Sequence, residues 1–281
     1  MKPGSDKIEA IRANIYPGAH WAINDWEQFP WHHDGKGKPD SDVAHSSQAF
    51  CISVWGALCH PDASELRRAT ARLLKTVPGD VFEERPLLTL EFADRTLLNE
   101  RPGTPTNIDA LLALPDLVIA VESKLTESYG TCSQPGSGHC SGRYEPGSDL
   151  KTRTDAPCRL EIQDGTRTPR RYWEVMRRLC RPDTLPVGID CPFAGPGYQV
   201  MRTITTAAEL ARTRNEDWRA VFALPAHRHP DSIQTVEQMR NLLTADNAKK
   251  VAVLDYQLLA NQLTDIDPDL ARYMQQRLAA A

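Results

Sequence analysis

Apolar positions along the chain first follow a helical spacing, then form three strand-like runs, and then alternate between the two patterns. Apolar residues recur at helical spacing from Phe50 to Leu58, behind Ser46 and Ser47, which can cap the first turn. A second helix is predicted over 63–76. The three runs of strand-forming residues that follow are 87–93, 107–114 and 116–125. Their close succession predicts an antiparallel meander.

The second half of the chain mixes helical periodicity with short apolar runs. The predicted helices lie at about 169–180, 198–214, 231–244 and 256–263, and the predicted strands are 220–226 and 250–255. This succession predicts an α/β fold in which a mixed central sheet is flanked by helices.

Two stretches differ from the rest of the chain in composition. Residues 1–45 combine Trp21, Trp26 and Trp31 with several histidines, which predicts an N-terminal aromatic arm packed over the core. Residues 46–281 are predicted to form one domain, with a loop-rich insertion at about 130–195 in which Gly, Ser and Pro leave little to pack.

Charge and hydropathy limit the function classes. The 281 residues carry 33 Lys and Arg against 37 Asp and Glu, a formal charge of −4, so any nucleic-acid surface must be local. No run approaches the roughly 20 apolar residues that span a bilayer, and the first residues lack the apolar core of a signal peptide. We therefore expect a cytoplasmic protein without a membrane partner, and the sequence leaves a homodimer open.

The candidate chemistry lies in the predicted hairpin at 107–125. Its two apolar runs are joined by the sequence LPDL at 114–117, with Pro and Asp as the turn pair. If position 114 faces 117, paired positions sum to 231, and Asp109 lies opposite Glu122. Opposed residues have Cβ atoms about 4.5–5.5 Å apart, close enough for two carboxylates to share one cation. A register offset of one would place them on opposite faces instead.

Lys124 joins this pair, because residues two apart on a strand leave the same face while Ser123 points away. Charged groups inside apolar runs are costly to bury unless they pair or bind a metal. Oxygen ligands of this kind suit Mg²⁺. Desolvation and a nearby cation would lower the pKa of Lys124, which could then orient or deprotonate a water. The alternative is a strand end where Asp109, Glu122 and Lys124 form ordinary surface pairs.

These residues resemble the PD-(D/E)XK nuclease superfamily: Asp109 on one strand, then Glu122-Ser123-Lys124 on the next. The strings NIDALLAL and VIAVESKLTESYG are similar to a bacterial group of restriction-endonuclease-like proteins. The resemblance implies an αβββαβ core and DNA hydrolysis with Mg²⁺ or Mn²⁺. It implies that Asp109, Glu122 and the Ser123 carbonyl bind the metal, and that Lys124 positions the water. Ile108 stands where the leading proline of the motif is expected.

Two glutamines are weaker parts of the same resemblance, which covers about residues 44–260. Gln48 lies in HSSQAF and Gln199 in YQVMR, at positions where helices of the superfamily adjoin the site. Both fit equally well as ordinary polar helix residues.

A local basic excess predicts where phosphates would be bound. Residues 141–182 contain ten Lys and Arg against six Asp and Glu, a local charge of +4. The candidate nucleic-acid contacts are Arg153, Arg159, Arg167, Arg170 and Arg171. A solvated helix face with i,i+4 ion pairs explains some of them equally well.

Five of the seven cysteines fall in one stretch, which raises the question of a structural metal. They are Cys132, Cys140, Cys158, Cys180 and Cys191. A structural Zn²⁺ or an iron–sulfur cluster is one interpretation, although short CxxC elements are absent. Free, partly buried thiols are the other.

The sequence therefore predicts a metal-dependent nuclease that acts on DNA. Two alternatives stay open: a catalytically inert nucleic-acid-binding or regulatory module on the same fold, and a zinc-stabilised interaction protein.

Overall fold

The structure, a computed structural model, describes most of the chain. The described residues are 4–33, 39–74, 84–100, 105–135, 140, 142–143, 169–185 and 189–281. They include the predicted hairpin and the segments that pack on it, whereas much of the predicted insertion lies outside them.

The described residues form an α/β fold of helices and five strands. The strands are β1 (Leu87–Ala93), β2 (Asn107–Leu114), β3 (Leu117–Ser123), β4 (Asp217–Leu224) and β5 (Val251–Asp255). The helices are α1 (Ser5–Asn14), α2 (Ser47–Leu58), α3 (Ser64–Leu74), α4 (Tyr172–Leu179), α5 (Gly197–Arg214), α6 (Pro230–Leu242), α7 (Ala245–Ala248), α8 (Tyr256–Leu263) and α9 (Pro268–Ala280), with 3₁₀ turns at Pro17–Ala22 and Pro182–Thr184. In the part of the chain described, no helix combines the length and the hydropathy needed to cross a bilayer.

The five strands form one mixed sheet in the order β1-β2-β3-β4-β5. The first three strands are antiparallel, which confirms the predicted meander, and β3, β4 and β5 are parallel. Ala110 pairs with Val121, and Leu114 pairs with Leu117, so the predicted hairpin register is confirmed. The mixed sheet flanked by helices is the architecture that the sequence predicts.

Helices cover both faces of the sheet, and this burial explains the apolar character of β3. Side chains of α2, α3, α8 and α9 pack with one face. Those of α4, α5 and α6 pack with the other. Every residue of β3 is buried, as expected for a central strand with helices on both sides.

Two helices at the ends of the chain were not predicted from the sequence. α1 lies within the predicted N-terminal arm, and α9 follows the helix that the pattern places last. The arm residues Ile8, Ile11 and Trp31 form a small apolar cluster with Ile52 of α2. These contacts place the arm against α2, and the arm begins with a helix.

Candidate active site

Three adjacent strands each place one carboxylate at the same level of the sheet. The β2–β3 pairing reaches Ala110 and Val121, and the next residues of the two strands are Asp109 and Glu122. On the other side, the pairs Leu90–Ala110 and Phe92–Ile108 flank Glu91, which therefore lies opposite Asp109. The row Glu91, Asp109 and Glu122 crosses the sheet where β3 ends.

Asp109 is held by the backbone of the neighbouring strand. Its Oδ2 accepts a hydrogen bond of 2.7 Å from the Ser123 N–H. Burial and the negative charge of Glu122 raise the pKa of Asp109 well above its ordinary value, although Lys124 opposes this effect. Asp109 is therefore a carboxyl group whose ionised form needs additional positive charge nearby.

Glu122 is almost fully enclosed, with 1% of its surface exposed. Its Oε1 lies 2.7 Å from Lys124 Nζ and also accepts a hydrogen bond from Gln199 Nε2. Its Oε2 accepts a hydrogen bond of 3.2 Å from Thr203 Oγ1. Lys124, directly after β3, and two donors from α5 thus fix the orientation of this carboxylate.

Lys124 is buried among carboxylates rather than isolated. In addition to Glu122, it lies 3.7 Å from Glu127 Oε1, and Glu127 is hydrogen-bonded to Ser47. Burial lowers the pKa of Lys124, but Glu122, Asp109 and Glu127 outweigh that effect and raise it above the ordinary value. The expectation of a lowered lysine pKa is wrong for this arrangement, because several carboxylates surround one ammonium.

Ser123 points to the opposite face, as the strand alternation predicts. Its Oγ lies 2.6 Å from the hydroxyl of Tyr256, the first residue of α8. The Trp55 indole of α2 donates to the same Tyr256 oxygen at 3.3 Å. These contacts anchor the end of β3 between α2 and α8, so the backbone that carries Glu122 and Lys124 is fixed.

The two predicted supporting glutamines have different positions. Gln199, at the start of α5, donates to Glu122 and accepts a hydrogen bond from the Gly130 N–H. Gln48 contacts Glu91 instead, through a 2.7 Å hydrogen bond from its Nε2. Gln199 therefore lies at the Asp109–Glu122 pair, whereas Gln48 lies on the far side of Glu91.

Sequence reasoning missed Glu91. Its side chain is 3% exposed, and its backbone has a φ of +52°, which is uncommon for a residue other than glycine. Gln48, Asn107 and His32 surround its carboxylate. The available signal was that Glu91 is the single charged residue in the run LLTLEFA.

The site contains more negative than positive side chains. Three carboxylates, those of Asp109, Glu122 and Glu127, act on the ammonium of Lys124, and a fourth, Glu91, adjoins Asp109 and His32. Among the residues that the structure describes, no group of three or more His, Cys, Asp or Glu side chains is arranged to hold a metal ion. Asp109 and Glu122 are the pair that could share one cation through oxygen ligands.

The predicted arginine contacts are only partly within the described residues. Arg153, Arg159 and Arg167 lie outside them. Arg170 Nη1 donates to the Asn99 carbonyl at 2.5 Å. Arg171 donates to both Glu174 oxygens at 2.8 and 2.9 Å and lies 2.8 Å from Glu209, so its guanidinium already has protein partners.

Three of the five clustered cysteines lie in one region. The Cys191 N–H donates to the Gly142 carbonyl at 2.7 Å, and the Cys132 N–H donates to the Gly195 carbonyl at 3.3 Å. Burial raises the pKa of Cys191 to about 11, with smaller contributions from Cys132 and Cys140. Cys180 lies apart from them at the end of α4. Cys158 lies outside the described residues.

Comparison with protein-family models relates the chain to a known family. The model of a family described as "Restriction Endonuclease associating with ARP" matches residues 19–279. No curated protein and no solved structure matches the chain. The matched region begins within the N-terminal arm and includes all three strands that carry the row of carboxylates.

Proposed function

The chain belongs to the family described as restriction endonuclease associating with ARP, and from this relationship we propose that it is a Mg²⁺- or Mn²⁺-dependent nuclease that hydrolyses DNA phosphodiester bonds. The observation that carries the proposal is the convergence of Asp109, Glu122 and Lys124 at the end of β3. In this proposal the chain is a member of the PD-(D/E)XK superfamily. In it, α2, β1, β2, β3, α5 and β4 would correspond to its αβββαβ core.

The donor set fits a hard divalent cation. Asp109 and Glu122 supply carboxylate oxygens, and the Ser123 carbonyl supplies a third oxygen. Mg²⁺ is commonly bound through one or two carboxylates and keeps several waters, so a larger protein ligand group is not required. The excess of carboxylates and the raised pKa of Asp109 both favour binding of positive charge at this position. When bound, such a cation would polarise the scissile phosphate and activate a water.

The protein's own residues would then orient the reaction. Gln199 and Thr203 hold Glu122 in place. The Lys124 ammonium, fixed by Glu122, would hydrogen-bond the attacking water or a phosphate oxygen and stabilise the negative charge that develops there. Because its pKa is raised, we assign Lys124 this electrostatic and orienting role.

The test is cleavage of plasmid and single-stranded DNA with Mg²⁺ or Mn²⁺. Wild type should cleave, whereas Asp109→Asn and Glu122→Gln should not, because each removes one of the two carboxylate ligands. The matched control is Asp217→Asn, which removes a paired carboxylate at the opposite end of the sheet. Circular dichroism would establish that all variants are folded.

Other outcomes would favour the alternatives. Wild type that binds DNA without cleaving any substrate would support the inert nucleic-acid-binding or regulatory module. Stoichiometric zinc in the purified protein, together with neither DNA binding nor cleavage, would support the zinc-stabilised interaction protein. Cleavage by Glu122→Gln at the wild-type rate would contradict the assigned site.

A further inference from the structure

The side chain of Gln48 holds the N-terminal arm beside the row of carboxylates. Gln48 Oε1 accepts hydrogen bonds from the His32 N–H at 2.8 Å and from Ser41 Oγ at 2.6 Å. Gln48 Nε2 donates to the Pro30 carbonyl at 3.1 Å and to Glu91 Oε1 at 2.7 Å. Gln48 therefore ties the arm to the carboxylate that faces Asp109.

Glu91 orients the imidazole that the arm brings to this position. His32 Nε2 lies 3.5 Å from Glu91 Oε2, and the His32 side chain is 49% exposed. No described residue is hydrogen-bonded to its other ring nitrogen, Nδ1. A carboxylate that holds one nitrogen of a histidine leaves the other directed to a ligand. The backbone of Glu91 adopts a left-handed conformation, which costs free energy in a residue other than glycine.

His32 forms part of the wall of a large cleft between the arm and the start of α2. The cleft has a volume of about 920 Å³, within the range of roughly 300–1,000 Å³ that is usual for ligand sites. Ser47 and Glu127 also line it, and Glu127 contacts Lys124. A strand lying in this cleft would therefore pass directly from His32 to the proposed site.

Two of the three acidic side chains that line the described part of the cleft are paired with an ammonium group. Its acidic lining groups Asp42 and Glu127 are paired with Lys7 at 2.6 Å and with Lys124 at 3.7 Å. Among the described residues, Asp40 and the imidazoles of His32, His33 and His45 are the other titratable groups that line the cleft. The first turn of α2, from Ser47, closes one side and contributes the positive end of the helix dipole.

We infer that this cleft binds the DNA strand next to the cleaved bond, and that His32, oriented by Glu91, contacts one of its phosphates. The inference rests on the proposed nuclease function and gives the arm a role in substrate binding. It does not require His32 to take part in the chemical step.

The protonation of His32 supports this assignment. Burial lowers the pKa of His32, but Glu91 on β1, Asp109 on β2 and Asp40 of the arm outweigh that effect and raise it. An imidazolium persists to higher pH than usual in such surroundings, and a charged hydrogen bond to phosphate is stronger than a neutral one.

The experiment compares DNA binding by wild type, His32→Gln and a matched control. Anisotropy of a labelled short duplex and of its single strand is measured in EDTA, so that no cleavage occurs. The control is His60→Gln, because His60 is similarly exposed at 42% and lies 3.8 Å from a carboxylate, that of Asp62, outside the cleft. His32→Gln keeps the backbone contact to Gln48, which preserves docking of the arm.

Loss of the phosphate contact should weaken binding by His32→Gln by about 10-fold, whereas His60→Gln should bind like wild type. Wild-type affinity should also fall as the pH rises through the titration of His32, and the variant should lack that component. Equal affinity of His32→Gln and wild type at every pH would overturn the inference. Absence of DNA binding by the wild type in EDTA would also overturn the inference. If that wild type still cleaves plasmid with Mg²⁺, the proposed nuclease function stands and only the role of this cleft is contradicted.

Discussion

At the scale of single residues, the fold without a metal disfavours the ionised form of Asp109. Its pKa is raised by burial and by Glu122, so the folded protein keeps a proton on Asp109 at a pH where the unfolded chain has lost it. Stability in EDTA should therefore fall as the pH rises from the ordinary aspartate range through the folded pKa. Urea unfolding at a series of pH values measures this dependence.

The Asp109→Asn variant provides the control for this prediction, because its side chain does not titrate. Its stability in EDTA should vary less with pH than that of wild type over the same interval, and it should exceed wild-type stability at the alkaline end. Identical pH profiles for the two proteins would contradict the environment described for Asp109. Since metal binding requires the ionised carboxylate, metal affinity of the wild type should increase with pH.

Replacing Lys124 should slow cleavage of DNA without weakening DNA binding. Lys124→Ala removes the charge that Glu122 orients, so the single-turnover cleavage rate should fall by about 10²- to 10⁴-fold, the range for a lost catalytic side chain. The dissociation constant for DNA should change little, because one ammonium among several carboxylates adds little attraction for phosphate. The control is Lys249→Ala, which replaces an exposed lysine at the C-terminal end of α7. Equal cleavage rates for wild type and Lys124→Ala would show that Lys124 takes no part in the mechanism.

The sequence predicts the Asp109–Glu122 pair but not the rest of its surroundings. The turn at 114–117 determines the register, and strand alternation then places Lys124 beside Glu122. Glu91 could not be placed in the same way, because its positive φ interrupts the strand geometry on which the alternation depends. The raised pKa of Lys124 depends on Glu127, which approaches only when the chain after β3 folds back.

At the scale of elements, an ion-pair network joins α4 to α5. Glu209 of α5 is fully buried and lies 2.8 Å from Arg171, 2.6 Å from Arg178 and 2.8 Å from Arg212. These contacts suggest that Arg171, a candidate DNA contact, also holds α4 in place. Because Arg171 directly precedes α4 and Arg178 lies in its last turn, loss of Glu209 should loosen both ends of the helix.

Glu209→Gln should accordingly lower the free energy of unfolding by about 1–3 kcal/mol, less than for a fully buried pair because the arginines reach solvent. Glu174→Gln is the matched control, since Glu174 pairs with two of the same arginines but is 47% exposed. Chemical denaturation monitored by circular dichroism measures both. A Glu209→Gln protein as stable as the control would show that the network adds little to the docking of α4.

The elements that the sequence predicts best are those that are apolar throughout. The strands β2 and β3 are largely buried runs that a central sheet accommodates; β2 has the predicted limits, and β3 (Leu117–Ser123) is shorter than the predicted 116–125. α1 was missed because few of its residues are buried, mainly Ile8 and Ile11. α9 was missed although its signals were present: the Asp267 cap, Pro268 in the first turn, and Leu270, Met274 and Leu278 spaced by four.

At the scale of the whole molecule, these two unpredicted helices bring the ends of the chain together. The Asn14 carbonyl, at the end of α1, accepts hydrogen bonds from Tyr273 at 2.9 Å and from Arg277 at 2.5 Å, both in α9. Tyr16 also contacts Asp267, the cap of α9. The arm is therefore attached to α9, to α2 and to Glu91 beside the proposed site.

This attachment predicts that the arm unfolds together with the rest of the chain. Ile11 is fully buried in the cluster between α1 and α2, so Ile11→Ala should lower the free energy of unfolding by about 2–4 kcal/mol through the cavity it leaves. Because the arm shares contacts with α2 and α9, the variant should still unfold in one transition, at a lower denaturant concentration. An early separate transition, with the main one unchanged, would instead make residues 1–45 an independent unit. One shared transition would mean that the cleft beside His32 persists as long as the sheet that carries Asp109 and Glu122.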